Sequence, residues 1–158
     1  MTSNPSRHPA ARIAGALLCL AVAVIHVKDQ GGIPGSKDPA YVHDLYLALE
    51  IGAVIAALAL LAGATRLGWG LAVVVALGPL VGYVLSRGPG LPNYTDDKGN
   101  WTEPLGLASL AVEAILLVFA PAMLRARDRV APAPGVAQRR PAFVRDGERT
   151  RVPVSDRS

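Results

Sequence analysis

Four stretches of the chain are almost uninterrupted in apolar residues, at about 10–27, 42–65, 67–86 and 104–124. A bilayer core about 30 Å thick needs roughly 20 apolar residues in a helix, and each run comes close to that length. None resembles a short amphipathic surface helix. The breaks between the runs carry Gly, Pro and charge. Asp29 to Pro39 separates the first two runs, a tight turn at Arg66 the second pair, and the longer segment Arg87 to Pro104 the last two. The pattern predicts an all-α fold, an integral membrane four-helix bundle over residues 10–124. A short N-terminal segment, residues 1–9, precedes it and a tail, residues 125–158, follows. No internal repeat is evident.

Composition complicates this picture until the charges are located. The 158-residue chain has a net charge of +4 and is 51% hydrophobic, with a pI near 9.6 and a mean hydropathy of +0.34. The tail holds nine Arg and four acids, whereas residues 1–124 hold seven bases and eight acids. The basic pI therefore belongs to an appendage and not to a nucleic-acid surface. Aromatic residues make up 5% of the chain, which also supplies base-stacking platforms poorly. Nucleic acid is excluded as a partner. With four Pro and few large apolar side chains, the tail is expected to be a disordered basic cytoplasmic segment. It would serve as a topology anchor, or would touch anionic lipid or a cytoplasmic partner.

Orientation follows from counting bases on each side of the spans. Arg7, Arg12, Arg66 and the nine tail arginines lie on one side, and Lys28, Lys37, Arg87 and Lys98 on the other. Twelve against four puts both termini in the cytoplasm. The alternative of a cleaved signal peptide rests on Arg7, Arg12 and the small residues around Ala21-Val22-Ala23. Leu18, directly before Cys19, argues against a lipoprotein signal. As the one cysteine, Cys19 excludes an internal disulfide, a CxxC redox pair and a thiolate-rich zinc site. Thirteen Arg against three Lys, with abundant Ala, Gly and Pro, points to a GC-rich bacterium and hence to a bacterial plasma membrane.

Ionisable residues inside apolar runs are costly unless paired or facing a cavity, so they mark the places to look for function. Glu50 and Glu113 qualify. Each lies eight or nine residues into its span, roughly 12 to 14 Å below the outer surface at about 1.5 Å per residue. Equal depth motivates a shared site. His43 falls on the face of Glu50, with Tyr46 between them, and Gly106 and Ser109 fall on the face of Glu113. The first span brings His26 to its outer end, and the third brings Tyr83 and Arg87. If these faces turn inward, a polar column runs from His26, His43 and Arg87 to Glu50 and Glu113.

Several chemistries fit that column. Glu50, Glu113, His26 and His43 form a mixed N and O set that would hold a divalent metal. The two carboxylates would instead share a proton and serve a proton pathway. In the plainest reading each Glu is hydrogen-bonded to Ser109, Tyr46 or a backbone carbonyl and fixes helix pairing. Haem is disfavoured, because its axial ligands would have to be His26 and His43 across a shallow outer pocket. Gly78-Pro79 and Gly82 favour a kink and close helix approach in the third span, and a broken substrate-bearing helix is the sharper alternative.

The outer loops add structure without a motif. Placing Gly99 at the sixth position of an EF-hand loop puts Tyr94, Lys98 and Leu105 where acidic ligands belong, so the calcium reading fails. An Asp-Lys-Gly turn flanked by Tyr94 and Trp101 as interfacial anchors suffices. Asn93-Tyr94-Thr95 would be a sequon only in a secretory eukaryotic setting. Asp29-Gln30-Gly31-Gly32-Ile33-Pro34-Gly35, with Gly90-Leu91-Pro92 through Trp101-Thr102-Glu103-Pro104-Leu105-Gly106 and on to Ser109 and Glu113, resembles small four-span proteins of GC-rich Gram-positive bacteria. The resemblance covers about residues 10–124. It implies the four-span topology and, with no activity attached to that group, transfers no catalytic residue.

Together these features predict a non-enzymatic plasma-membrane protein with a structural, accessory or ligand-binding role. Its partners would be the lipid bilayer and either a second copy, through the Gly-rich third span, or another membrane protein. No cofactor is required by any motif. The alternatives are a metal- or cofactor-dependent membrane oxidoreductase using Glu50 and Glu113, and a small carrier or proton pathway.

Overall fold

The structure, a computed structural model, describes residues 8–33 and 35–128. Most of the N-terminal segment and the basic tail from residue 129 onward lie outside the described residues. The described chain is all-helical: α1 (Pro9–Asp29), α2 (Ala40–Leu61), α3 (Thr65–Arg87) and α4 (Pro104–Asp128). All four contain a segment long and apolar enough to cross a membrane. At 21 to 25 residues they span about 32 to 38 Å.

Helices adjacent in sequence pack on one another, α4 closes back onto α1, and α1 also meets α3 across the diagonal. This arrangement sets α2 and α4 at opposite corners. Both long loops lie at one end of the bundle, where the Tyr41 hydroxyl of α2 donates to the Pro92 carbonyl at 2.7 Å. The short turn between α2 and α3 lies at the other end.

The helix ends follow from glycine placement. Gly63, at φ 85°, ends α2: Ala64 N–H reaches the Ala59 carbonyl at 2.9 Å and Gly63 N–H the Leu60 carbonyl at 3.1 Å. This is a Schellman closure, which an L side chain at Gly63 would strain. Gly31, at φ 89°, ends α1 in the same way, with Gly32 N–H on the Val27 carbonyl at 2.8 Å. The turn expected at Arg66 therefore lies at residues 62–64, and Arg66 belongs to the first turn of α3. Hydropathy missed this shift because Ala62, Gly63 and Ala64 are themselves apolar. Beyond residue 124, where the tail was expected to start, α4 continues to Asp128. Helix α3 runs continuously through Pro79, so the broken-helix alternative does not hold.

The interior is built of small residues. Ala16, Cys19, Ala56, Ala57, Ala72, Ala76 and Ala120 surround Leu60, Trp69 and Leu116 near the short-turn end. The Trp69 and Phe119 rings meet edge to face, centroids 5.3 Å apart. A Cβ on Gly15 would strike the Trp69 ring, and one on Gly68 would lie 2.9 Å from the Leu60 backbone nitrogen. Large apolar side chains point outward instead, such as Leu17 at 61% and Val118 at 75% exposure. Small residues inside and large apolar residues outside suit helices that associate in lipid, where close backbone packing replaces the hydrophobic effect.

Candidate functional site

The long-loop end of the bundle is organised around Arg87, the last residue of α3. Arg87 is buried at 7% exposure, and its guanidinium meets several polar partners. Nε donates to the Asn100 carbonyl at 3.0 Å and Nη1 to Ser86 Oγ at 3.0 Å. Ion pairs run from Nη1 to Asp97 at 3.5 Å and from Nη2 to Glu103 at 3.8 Å. Its carbon centre stands 4.0 Å over the Tyr83 ring. The Tyr83 hydroxyl in turn donates to the Trp101 carbonyl at 2.6 Å. One basic side chain thus shapes the whole second loop. Glu103 also caps α4, accepting from Leu105 N–H at 2.9 Å and from Gly106 N–H.

The first loop is tied down by Asp29 and Lys37. The Tyr46 hydroxyl donates to the Asp29 carboxylate, and Lys37 Nζ lies 3.4 Å from the same oxygen. Lys37 also reaches the Tyr94 hydroxyl at 3.4 Å, and that hydroxyl donates to Asp97 at 2.9 Å. A continuous polar strap, Asp29–Lys37–Tyr94–Asp97–Arg87, joins the α1–α2 half to the α3–α4 half. Tyr94 is 5% exposed, and burial together with its bond to Asp97 pushes its phenol above the ordinary value.

Beneath the strap lies a cavity of about 220 Å³. Ile25, Leu45, Leu49 and Leu110 give it apolar walls, and α3 contributes Gly78, Pro79 and Gly82. A Cβ added at Gly78 or Gly82 would meet nothing within 4 Å. Helix α4 contributes the polar pair Ser109 and Glu113. Ser109 Oγ donates to Glu113 Oε1, while Glu113 Oε2 is buried with no hydrogen-bond partner. Glu113 as a whole is 1% exposed.

Of the residues singled out from sequence, His26, Tyr46, Tyr83, Arg87, Ser109 and Glu113 line this cavity, and Glu50 and His43 do not. Glu50 Oε1 instead accepts from Gln30 Nε2 at 2.7 Å, a contact between α2 and the residue that ends α1. The polar column is therefore divided. Equal depth along two helices does not fix the direction each carboxylate faces, and α2 and α4 occupy opposite corners.

His26 has its Nδ1 2.9 Å from the Val22 carbonyl, and its ring packs 5.5 Å from that of Tyr46. With Nδ1 donating, Nε2 is left as an acceptor on a residue that lines the cavity. Among the described residues, no three His, Cys, Asp or Glu side chains gather as metal ligands. Glu50, Glu113, His26 and His43 accordingly do not form the joint centre that their spacing allowed.

Sequence reasoning missed Asp29, Lys37, Asp97 and Glu103, treating Tyr94 only as an interfacial anchor. A carboxylate directly before a helix-starting proline, as in Glu103-Pro104, was a legible cap signal. The strap, in contrast, joins residues far apart in the chain and leaves no local signature. Comparison with protein-family models, curated proteins and solved structures gives no match.

Proposed function

We propose that this is a multi-pass protein of a bacterial plasma membrane, with both termini in the cytoplasm, that binds a small amphiphilic molecule in the cavity under its loop strap. The observation that carries the reading is Glu113, whose Oε2 is buried without a hydrogen-bond partner and which lines a cavity whose other walls are mostly apolar. A buried polar atom without a partner costs about 1–3 kcal/mol, which a ligand's polar group recovers on binding. Apolar walls with one or two convergent polar groups are the usual composition of a small-molecule site.

The orientation rests on the distribution of Lys and Arg, and the resemblance of the loop motifs to those of small four-span proteins of GC-rich Gram-positive bacteria supports the bacterial membrane setting. In that orientation the strap lies at the outer surface and the cavity opens in the outer half of the bilayer. No reacting group, nucleophile or redox centre is needed for this role.

Native mass spectrometry of the protein released from mild detergent tests the reading. Wild-type protein should carry a small-molecule adduct that Gly82→Leu, which fills the open space, lacks. Identical spectra for the two proteins, or no adduct on the wild type, would overturn it.

A further inference from the structure

Resting on that binding reading, we infer that the molecule held in the cavity is a lipophilic amine, with its cationic nitrogen on Glu113 Oε2 and its apolar chain along Ile25, Leu45, Leu49 and Leu110. The anchor sets the first requirement. Ser109 already occupies Oε1, leaving Oε2 in need of a partner that brings a hydrogen and, against a formal carboxylate in apolar surroundings, a positive charge.

Charge balance around the cavity points the same way. Asp29, Asp97 and Glu113 line it, and Glu103 stands behind Arg87. Opposing these four acids are two bases, Arg87 and Lys37. Both are engaged, Lys37 with Asp29 and Arg87 with Asp97 and Glu103. Among the described residues lining the cavity, no unengaged Lys or Arg is offered to an anionic head group. The surplus is formally two negative charges.

The aromatic groups add a third feature. Tyr46, Tyr83 and Tyr94 all line the cavity, and each ring already has a cation over it. Lys37 Nζ lies 5.5 Å from the Tyr46 centroid and 6.0 Å from that of Tyr94, with Arg87 over Tyr83. Tyrosine faces attract ammonium groups electrostatically. The same surfaces that hold the protein's own cations would guide a ligand cation past the strap. His26, which also lines the cavity, has Nε2 left as a further acceptor.

Three probes with the same tail and different heads isolate the head-group preference: octylammonium, octanol and octanoate, titrated calorimetrically at neutral pH into full-length protein in nanodiscs. Empty nanodiscs provide the partitioning baseline. Octylammonium should bind at least about tenfold tighter than octanol, because its nitrogen brings a positive charge as well as a donor to the carboxylate, and octanoate should bind weakest. Glu113→Gln, which keeps the shape, should weaken octylammonium more than octanol and bring the two to similar affinities. Gly82→Leu should abolish binding of all three, with Gly78→Leu as a second filling variant should the first fail to fold.

If the three heads bind alike and the filling variants still abolish binding, the cationic preference is wrong and the cavity reading survives. Tightest binding of octanoate would overturn the cationic preference in the same way. Binding unchanged in the filling variants, or no binding of any probe above the empty discs, sinks both.

Discussion

Gln30 Nε2 donates to Glu50 Oε1 at 2.7 Å, so a buried carboxylate in α2 is held by the residue that ends α1. Both side chains are buried, Gln30 at 3% and Glu50 at 7% exposure. The bond secures the loop end of α1 against α2 and gives Glu50 a structural role separate from the cavity. Removing one partner leaves the other buried and unsatisfied, which costs about 1–3 kcal/mol. Glu50→Ala should lower stability by that amount. Glu50→Gln should cost less, because its amide oxygen can still accept from Gln30. Thermal unfolding in detergent checks both values. A Glu50→Gln protein that keeps wild-type stability but loses cavity binding would restore Glu50 to the binding site.

The Ala-rich packing near the short turn gives a steric prediction. Gly15 of α1 lies against the Trp69 ring and 3.0 Å from a Leu60 methyl, measured from where its Cβ would stand. Overpacking a tight core costs typically about 1–3 kcal/mol, and Gly15→Ala should fall in that range. A smaller ring should relieve it. In the double variant Gly15→Ala with Trp69→Phe, the loss should be less than the sum of the single losses, as expected of residues in contact. Additive losses, measured by chemical unfolding, would show that the glycine is not there for the tryptophan.

The four helices were legible because the period and length of an apolar run survive any arrangement of its neighbours. The polar candidates were legible in part: Ser109 and Glu113 are one turn apart on the same helix, so their hydrogen bond is a local fact. The pairing of Glu50 with Glu113 was not, since it depended on how two separate helices are rotated. That rotation is set by Ala, Gly and Trp contacts such as Gly15 on Trp69, which hydropathy averages away. Lys37 and Tyr94 are 57 positions apart and meet only once both loops fold over the same end of the bundle.

Arg12 shows how one residue serves both levels. From α1 its Nε donates to the Leu60 carbonyl at 2.7 Å, and its Nη2 to that of Leu61. The Leu60 carbonyl also accepts from Gly63 N–H, whereas that of Leu61, in the last turn, has no intrahelical donor and the guanidinium supplies one. Its charge also counts toward the cytoplasmic side of the proposed topology. Arg12→Lys keeps the charge and loses the planar fork, so it should lose about 1 kcal/mol with orientation unchanged. Alkaline-phosphatase fusions after Asn100 should be active and fusions after Gly63 inactive, in wild type and variant alike. Activity at Gly63 would reverse the orientation.

The strap offers a last test that depends on pH. The Tyr94 hydroxyl accepts from Lys37 and donates to Asp97, and its phenol is held above the ordinary value by burial and by that second bond. A group whose folded value is raised stabilises the fold fully below its unfolded value, about pH 10 for tyrosine, and loses that contribution as pH rises through the folded value. The strap should therefore persist at pH values where exposed tyrosines have ionised. Tyr94→Phe removes both bonds while leaving the Lys37–Asp29 and Arg87–Asp97 ion pairs in place. Hydrogen exchange should then speed up in the segments 30–39 and 88–103, with helix protection little changed. The phenolate difference spectrum of wild type against Tyr94→Phe should show no Tyr94 ionisation until well above the ordinary tyrosine range. Ionisation at that range, or unchanged loop exchange in the variant, would mean that Tyr94 does not hold the two halves together.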